Sequence, residues 1–218
     1  KENLISKITS KTKFIIINSP NNPTGKVLRE EELNVIAEVL REYRNINLIS
    51  DEIYELILKK GHRHISFASL YKDLTDRIYT VNGFAKGWAM TGWRLGYLAG
   101  KKEVIKASST LQSQSTSNVC SFAQRGALAA LEIKDEFFNE INNIYDERRE
   151  ILFSGLKKIK GIYIEPPNGA FYAFPKLPNK KLSSVVFCKK LLQEYGLVVI
   201  PGKAFGDDQC IRISCASS

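Results

Sequence analysis

Long hydrophobic runs are absent from this sequence, and histidine, tryptophan and methionine are scarce, with two, two and one residues. No apolar stretch approaches the roughly 20 residues that a helix needs to cross a bilayer, so the sequence argues against a membrane protein. The four cysteines form no CxxC pair and have no neighbouring histidine, which argues against a zinc site or a disulfide framework. We therefore expect buried thiols in a reducing compartment, the cytoplasm.

The charge also lacks the pattern that would indicate a nucleic-acid partner. The net charge is +9, but 32 Lys and Arg are interleaved with 23 Asp and Glu and form no basic block. His62 and His64 lie in the polar segment KKGHRHISF without other candidate ligands, so we interpret them as surface histidines. The sequence predicts neither nucleic-acid binding nor a metal site.

The length and composition are those of a globular chain. With 44% hydrophobic residues, 218 residues can bury one sizeable core and leave room for a smaller domain. The chain begins at KENLISKITSKTKF, with neither a start methionine nor a signal-like stretch. We expect it to be part of a longer protein.

Short apolar runs alternate with a helical pattern in the first half of the chain. Residues 14–18, 48–50 and 78–81 have strand character, and residues 33–40 carry apolar side chains at helical spacing. LGYLAG predicts one more strand. This β-α-β alternation is typical of a mostly parallel sheet that binds ligands where its strands end. We expect the loops after the three runs to converge.

The second half of the chain is mainly helical before it returns to short strands. Residues 119–131 are rich in alanine, and residues 137–159 keep a helical apolar stripe. Beyond Gly161, IYIE, AFYAF, LVVI and CIRIS predict strands, and SSVVFCKKLLQEYG predicts a helix ended by its glycine. The pattern indicates a large domain in 1–140 and a small α/β domain in 141–218.

Three stretches place chemically useful residues at the ends of these elements. SPNNPTGKV joins the first strand to a helix, and its prolines and glycine indicate a constrained loop. Asp51 follows the second strand, where it either caps a helix or pairs with a protonated ring nitrogen of a cofactor. Lys86 lies among glycine, aromatic and small apolar residues, where it is either a solvated lysine or a nucleophile for Schiff-base chemistry.

Five motifs carry a family resemblance. SPNNPTG, SDEIY, NGFAKGWAMTGWRLGY, GAFYAF and PGKAFGDDQCIRIS follow one another from about Ile15 to the C-terminus. Together they resemble the signatures of the class I/II, fold-type I, pyridoxal-phosphate-dependent aminotransferases. The resemblance implies a three-layer α/β/α large domain with a mostly parallel sheet, of which this chain would be the C-terminal part. It also implies the small α/β domain, the cofactor pyridoxal 5'-phosphate and a homodimer.

The resemblance implies cofactor-binding roles for five residues. Asn22 and Tyr54 match the residues that donate hydrogen bonds to the phenolic oxygen of the cofactor ring, and Asp51 matches the partner of the ring nitrogen. Lys86 matches the lysine that forms the Schiff base and then moves the proton as general base and acid. Arg94 matches the arginine that binds the cofactor phosphate.

Arg212, together with Asn22, is implied to bind the substrate. Arg212 matches the arginine that orients the substrate α-carboxylate. The chain also departs from the family, because Gly83 and Ala85 occupy the approach where some relatives carry a serine phosphate ligand. The upstream phosphate loop and the usual final helix are not in this sequence. Whether this chain folds fully, binds the cofactor or is active alone stays open.

Within the family, GFAKGWAMTGWRLGYLAG and QSQSTSNVCSFAQRGALAAL are most similar to the bacterial-type aspartate aminotransferases, including the aspartate/prephenate members. This implies transfer of an amino group between an L-amino acid, aspartate or glutamate, and a 2-oxo acid. Three alternatives stay open on the same fold: an aminotransferase for aromatic or sulfur amino acids, a pyridoxal-phosphate-dependent lyase, and a transcriptional regulator that senses a ligand.

Overall fold

The computed structural model describes residues 1–178 and 182–217, which fold into two compact units. The first unit consists of Lys1–Ser19, Leu28–Leu56 and His64–Asp135, and the second of Pro20–Val27, Ile57–Arg63 and Glu136–Ser218. The predicted division at residue 140 stays a prediction. The predicted division differs from these units because two short segments from the first half of the chain, Pro20–Val27 and Ile57–Arg63, belong to the second unit.

The first unit is built on a four-stranded sheet in the order β1-β2-β3-β4. Its strands are β1 (Phe14–Asn18), β2 (Asn47–Asp51), β3 (Ile78–Gly83) and β4 (Gly96–Ala99). The first three are parallel neighbours, and β4 runs antiparallel to β3. The expected α/β fold with a mostly parallel sheet is therefore confirmed.

Helices and turns connect these strands. The unit contains the short α1 (Glu2–Ile5) and α3 (Phe67–Leu70), the longer α2 (Glu30–Glu42), α4 (Lys102–Ser115) and α5 (Ser121–Ala130), and 3-10 turns at Lys72–Arg77 and Thr91–Trp93. Helix α2 begins with three acidic residues, whose negative charges interact favourably with the positive end of the helix dipole. Helix α4 was not predicted, because it buries none of its residues and so shows little apolar periodicity.

The two faces of the sheet differ because side chains alternate along each strand. One face, with Leu48 and Ile78, packs against the apolar side of α2, including Leu33 and Leu40. On the opposite face apolar side chains stay exposed, and Ile16 is 69% exposed. The register places Asp51 on this second face, beside the β1 residue Asn18.

The second unit combines a long helix with a small antiparallel sheet. It contains α6 (Asp135–Lys157), which begins at the last residue of the first unit, then β5 (Tyr172–Ala173), α7 (Ser184–Tyr195), β6 (Ile200–Pro201), a 3-10 turn at Gly202–Phe205 and β7 (Ile211–Ser214). The strand order is β5-β7-β6. Helix α7 ends at Gly196, which adopts φ 65°, as its sequence predicted.

One predicted strand of the second unit is wrong. The segment IYIE, residues 162–165, forms no strand and makes a single bridge between Tyr163 and Lys176. Tyr163 is 61% exposed, so the segment has no buried face that would hold it in a sheet. The core of this small fold is formed elsewhere, by Leu177, Cys188, Val199 and Ile211.

The four cysteines are unpaired, and the expectation of buried thiols is confirmed for three of them and wrong for Cys120. Cys188, Cys210 and Cys215 are buried, whereas Cys120 is exposed. Burial raises the pKa of the Cys210 thiol to about 11, and a hydrogen bond to Asp207 adds to this effect. Among the residues that the structure describes, no helix is both long and apolar enough to cross a membrane.

Candidate active site

Lys86 lies in the loop that connects β3 to β4. The two strands close the base of this loop by pairing Gly83 with Gly96. A Cβ atom on Gly83 would lie 2.7 Å from the Cα atom of Gly96, so only glycine permits this approach. Lys86 itself is half-buried, and its ammonium lies 6.0 Å from the centre of the Tyr54 ring. The structure thus brings two of the predicted cofactor residues together.

The loop around Lys86 is held by packing and hydrogen bonds. Phe84 and Met90 are buried against Ala127 and Ala130 of α5. The Trp88 indole N–H donates to the Ala130 carbonyl at 3.0 Å. These contacts fix both sides of Lys86, so the amine extends from an ordered loop.

Asp51 ends β2, and its carboxylate has few partners. One oxygen accepts a hydrogen bond from the backbone N–H of Ile53 at 3.2 Å, an Asx-type contact rather than a helix cap. Burial raises the pKa of Asp51, and among the described residues no cation forms an ion pair with it. A protonated ring nitrogen would supply the missing positive charge, so this residue fits pyridoxal phosphate.

Arg94 lies at the far end of the same loop. It adopts the left-handed conformation, with φ 54°, and its Nη1 donates to the Thr91 carbonyl at 3.0 Å. The residue is exposed. Its guanidinium is therefore accessible to an anion, and its role with the cofactor phosphate stays a prediction.

In the second unit, Arg212 and Asn22 are direct partners. The Arg212 Nη1 donates to the Asn22 Oδ1 at 2.9 Å. The guanidinium carbon lies 4.6 Å from the centre of the Tyr172 ring and 5.1 Å from that of Phe205. The Arg212 Nε is buried, and among the described residues it has no hydrogen-bond partner. An unsatisfied buried N–H on a cation indicates a site for an anion such as a carboxylate.

The loop that carries Asn22 depends on Gly25. The Gly25 N–H donates to the Asn21 carbonyl at 2.8 Å, and Gly25 adopts φ 71°. A Cβ atom there would lie 2.9 Å from the carbonyl oxygens of Gly169 and Tyr172. Both the left-handed conformation and the close approach require glycine. This explains the glycine of the SPNNPTG motif.

Comparison with known proteins identifies the family. The family model "Aminotransferase class I and II" matches residues 1–218. The chain belongs to this family. The family resemblance and its cofactor expectation are thereby confirmed, since class I and II aminotransferases use pyridoxal phosphate.

The relatives of this aminotransferase chain include proteins named for aspartate. A probable aspartate/prephenate aminotransferase of Rickettsia conorii is 43% identical over 227 residues, covering 100% of this chain and 57% of the relative. An aspartate aminotransferase of Bacillus subtilis is 41% identical over 222 residues, covering 100% of the chain and 56% of the relative. The chain thus spans little more than half the length of these relatives.

Solved structures of aminotransferases share the fold of this chain. An aspartate aminotransferase from Rhizobium meliloti has a TM-score of 0.94 at 36% identity, over 100% of this chain and 57% of that one. An aromatic aminotransferase from Pyrococcus horikoshii has a TM-score of 0.93 at 38% identity, over 100% and 58%. The two structures carry different substrate names, so the fold of this aminotransferase chain alone does not set the substrate.

The interpretation of His64 as a surface histidine is wrong, whereas His62 is exposed. The His64 side chain is only 9% exposed, and its Nε2 lies 3.1 Å from the Glu52 carboxylate. Glu52, Glu55 and His64 each offer one atom that could bind a metal ion, and these three atoms lie within 4.8 Å of one another. Glu52 follows a buried strand and is itself 2% exposed, so its need for a polar partner was the sequence signal that could have revealed the pair.

Glu52→Gln is expected to reduce the acid sensitivity of folding. Burial alone would raise the pKa of Glu52, but hydrogen bonds from His64, Ser50 and Ser66 outweigh it, so its pKa lies below the ordinary 4.5. Such a carboxyl stabilises the fold above its unfolded pKa and loses this contribution as the pH falls through the folded pKa. The stability difference between wild type and variant, from melting temperatures, should therefore shrink below about pH 4.5.

Carboxyls that do not interact with Glu52 are common to both proteins and cancel in this difference. The charge of Glu52 adds a minor part to the pKa values of Asp51 and Glu55, which burial raises, so these two carboxyls contribute a smaller change of opposite sign. Glu31→Gln, at an exposed position on α2, is the control and should show no such pH dependence. A difference for Glu52→Gln that stays constant down to acid pH would contradict the assignment.

Proposed function

We propose that the whole protein is a pyridoxal-phosphate-dependent aminotransferase that moves an amino group between an L-amino acid and a 2-oxo acid, with aspartate or glutamate as the donor. The observation that carries the proposal is the environment of Arg212. The guanidinium lies close to two aromatic rings, and one of its buried N–H groups is unsatisfied, which suits the α-carboxylate shared by all these substrates. The relatives named as aspartate aminotransferases support the choice of donor.

Residues of the first unit would hold the cofactor. The Asp51 carboxylate would keep the ring nitrogen protonated, and the Tyr54 hydroxyl would donate to the phenolic oxygen. Arg94 would pair with the phosphate through its planar, permanently charged guanidinium. When bound, pyridoxal phosphate supplies the electron sink that makes the Cα–H bond of an amino acid acidic. The cofactor role of Asn22 stays a prediction from the resemblance.

Lys86 would perform the covalent and proton-transfer steps. Its amine would hold pyridoxal phosphate covalently and, as a free amine, would accept the Cα proton of the substrate as general base. The same amine would return the proton as general acid. Arg212 would hold the substrate by its carboxylate, which fixes the direction of the Cα–H bond.

Arg212→Ala is expected to reduce kcat/KM for amino acids by about 10²-fold, mainly through KM, because removal of one partner of a close charge pair costs about 2–5 kcal/mol. Cofactor absorbance should be retained, since Arg212 is assigned to the substrate. Arg212→Lys keeps the charge but loses the bidentate fork, so it should lie between wild type and Arg212→Ala. Unchanged amino-acid kinetics in Arg212→Ala would remove this residue from the site.

The main alternative is an aminotransferase for aromatic substrates, favoured by the structural similarity to the Pyrococcus horikoshii enzyme. A panel of amino donors with 2-oxoglutarate separates the two. Glutamate is tested with oxaloacetate as the acceptor, because its transfer to 2-oxoglutarate gives no net reaction. The proposal predicts the highest kcat/KM for aspartate or glutamate. A clear preference for phenylalanine or tyrosine would favour the alternative, and no transfer from any donor would contradict aminotransferase activity altogether.

We also propose a cytoplasmic homodimer. The four unpaired cysteines support a reducing compartment. Exposed apolar side chains such as Phe122, at 74%, support further burial by association. Sedimentation analysis of the whole protein at micromolar concentration tests the dimer, and a concentration-independent monomer would contradict it.

A further inference from the structure

Asn82 connects a half-buried carboxylate to the backbone at the start of the Lys86 loop. It is the penultimate residue of β3 and is only 4% exposed. Its Nδ2 donates to the Glu55 Oε1 at 2.6 Å, and its Oδ1 accepts from the Gly83 N–H at 2.7 Å. An ionised carboxylate only accepts hydrogen bonds, so Glu55 fixes the orientation of the amide and directs its oxygen to Gly83.

This contact lies where the pairing of β3 with β4 becomes weak. Gly83 is the last residue of β3, and the next cross-strand hydrogen bond, from the Phe84 N–H to the Leu95 carbonyl, is 3.5 Å long. A bond of this length contributes little. The Asn82 side chain therefore supports the backbone at the point where the loop leaves the sheet. Lys86 lies only three residues further along.

We propose that Glu55 and Asn82 are positioning residues for Lys86. The carboxylate holds the amide, the amide holds the Gly83 N–H, and Gly83 sets where the loop that carries the reactive amine begins. The inference rests on the proposed role of Lys86 and goes beyond the residues that the family motifs assign. Glu55 is suited to this task because its hydrogen bond to Asn82 joins an acceptor of full charge to a buried donor, which strengthens the bond.

The test uses Asn82→Ala and Glu55→Ala in the whole protein, first without added cofactor. Amide hydrogen exchange of peptides covering residues 83–90 should become about tenfold faster in either variant, the effect of losing one charge-assisted hydrogen bond. Peptides from β1 should not change. The double variant should exchange no faster than Asn82→Ala, because both residues act through one hydrogen-bond chain.

A second readout follows Lys86 itself. With pyridoxal phosphate and borohydride, the rate of Lys86 labelling should fall about tenfold in both single variants, while Glu55→Gln, which keeps an acceptor oxygen, should recover most of it. Asn34→Ala is the matched control, since it removes an amide that accepts from the Tyr71 hydroxyl at 2.6 Å in the same unit. It should change neither readout.

The possible failures are distinguishable. Unchanged exchange of residues 83–90 in both Asn82→Ala and Glu55→Ala, with normal Lys86 labelling in wild type, would overturn this inference alone. Should Asn82→Ala not fold, Glu55→Ala decides, because it leaves Asn82 in place. Absence of Lys86 labelling in wild type would overturn the proposed function, and with it the positioning role.

Discussion

Lys86→Ala is expected to lower the proposed transamination by the whole protein by at least about 10³-fold, because in the proposal one amine is both covalent partner and proton carrier. The structure supports this assignment through the half-buried position of Lys86 near the Tyr54 ring. Its loop is anchored by Phe84 and Met90, so the substitution should leave the fold intact. The measurement is single-turnover conversion of aspartate, which reports the chemical step directly.

Two variants make the Lys86 result specific. Lys101→Ala removes an exposed lysine whose contact with Glu103 is 4.0 Å long, and it should leave activity and stability unchanged. Lys86→Arg keeps a positive charge but cannot release a neutral amine, so it should be as inactive as Lys86→Ala. Near-normal turnover in Lys86→Ala would contradict the mechanism.

Arg149→Met is expected to destabilise the protein by about 3–5 kcal/mol, because it removes a buried guanidinium and leaves the partly buried Asp146 carboxylate without its cation. The Arg149 side chain is 3% exposed, and its Nη2 lies 2.6 Å from the Asp146 carboxylate. The same guanidinium donates to the carbonyls of Leu58 and Ala170. One side chain thus joins α6 to two loops of the second unit, and its loss leaves the buried Ala170 carbonyl and the partly buried Leu58 carbonyl without this donor.

Denaturant unfolding measures this loss, and the neighbouring position supplies a matched control. Arg148→Met removes an arginine one position away that donates to the carbonyls of the buried Cys215, at 3.4 Å, and the exposed Ala216. It should cost about 1 kcal/mol, the value of an ordinary hydrogen bond. Equal losses in Arg148→Met and Arg149→Met would contradict the special role of the buried guanidinium.

The elements with strong apolar periodicity could be predicted from the sequence. Strands β1 to β3 and helix α2 bury one face, and that face is visible as spacing in the sequence. Helix α4 and the segment 162–165 could not be predicted correctly, because neither buries an apolar face. The assignment of residues 20–27 and 57–63 to the second unit depends on long-range contacts that no local pattern encodes.

In the candidate site, too, some features could be predicted from the sequence and others could not. The motifs named Lys86, Asp51 and Arg212, because each family signature is contiguous in sequence. The hydrogen bond between Arg212 and Asn22 joins residues 190 positions apart, so only the fold reveals it. The two hydrogen bonds that connect Glu55, Asn82 and Gly83 were not predicted either. A glutamate that follows a strand does not indicate which amide will donate a hydrogen bond to it.

Borohydride reduction in the presence of pyridoxal phosphate, followed by peptide mapping, tests the central claim most directly. Reduction makes the bond between a lysine and the cofactor permanent, so the labelled residue can be identified. The account predicts a single label on Lys86 in the whole protein. A protein that remains unlabelled, or label spread over surface lysines with none enriched at Lys86, would contradict it.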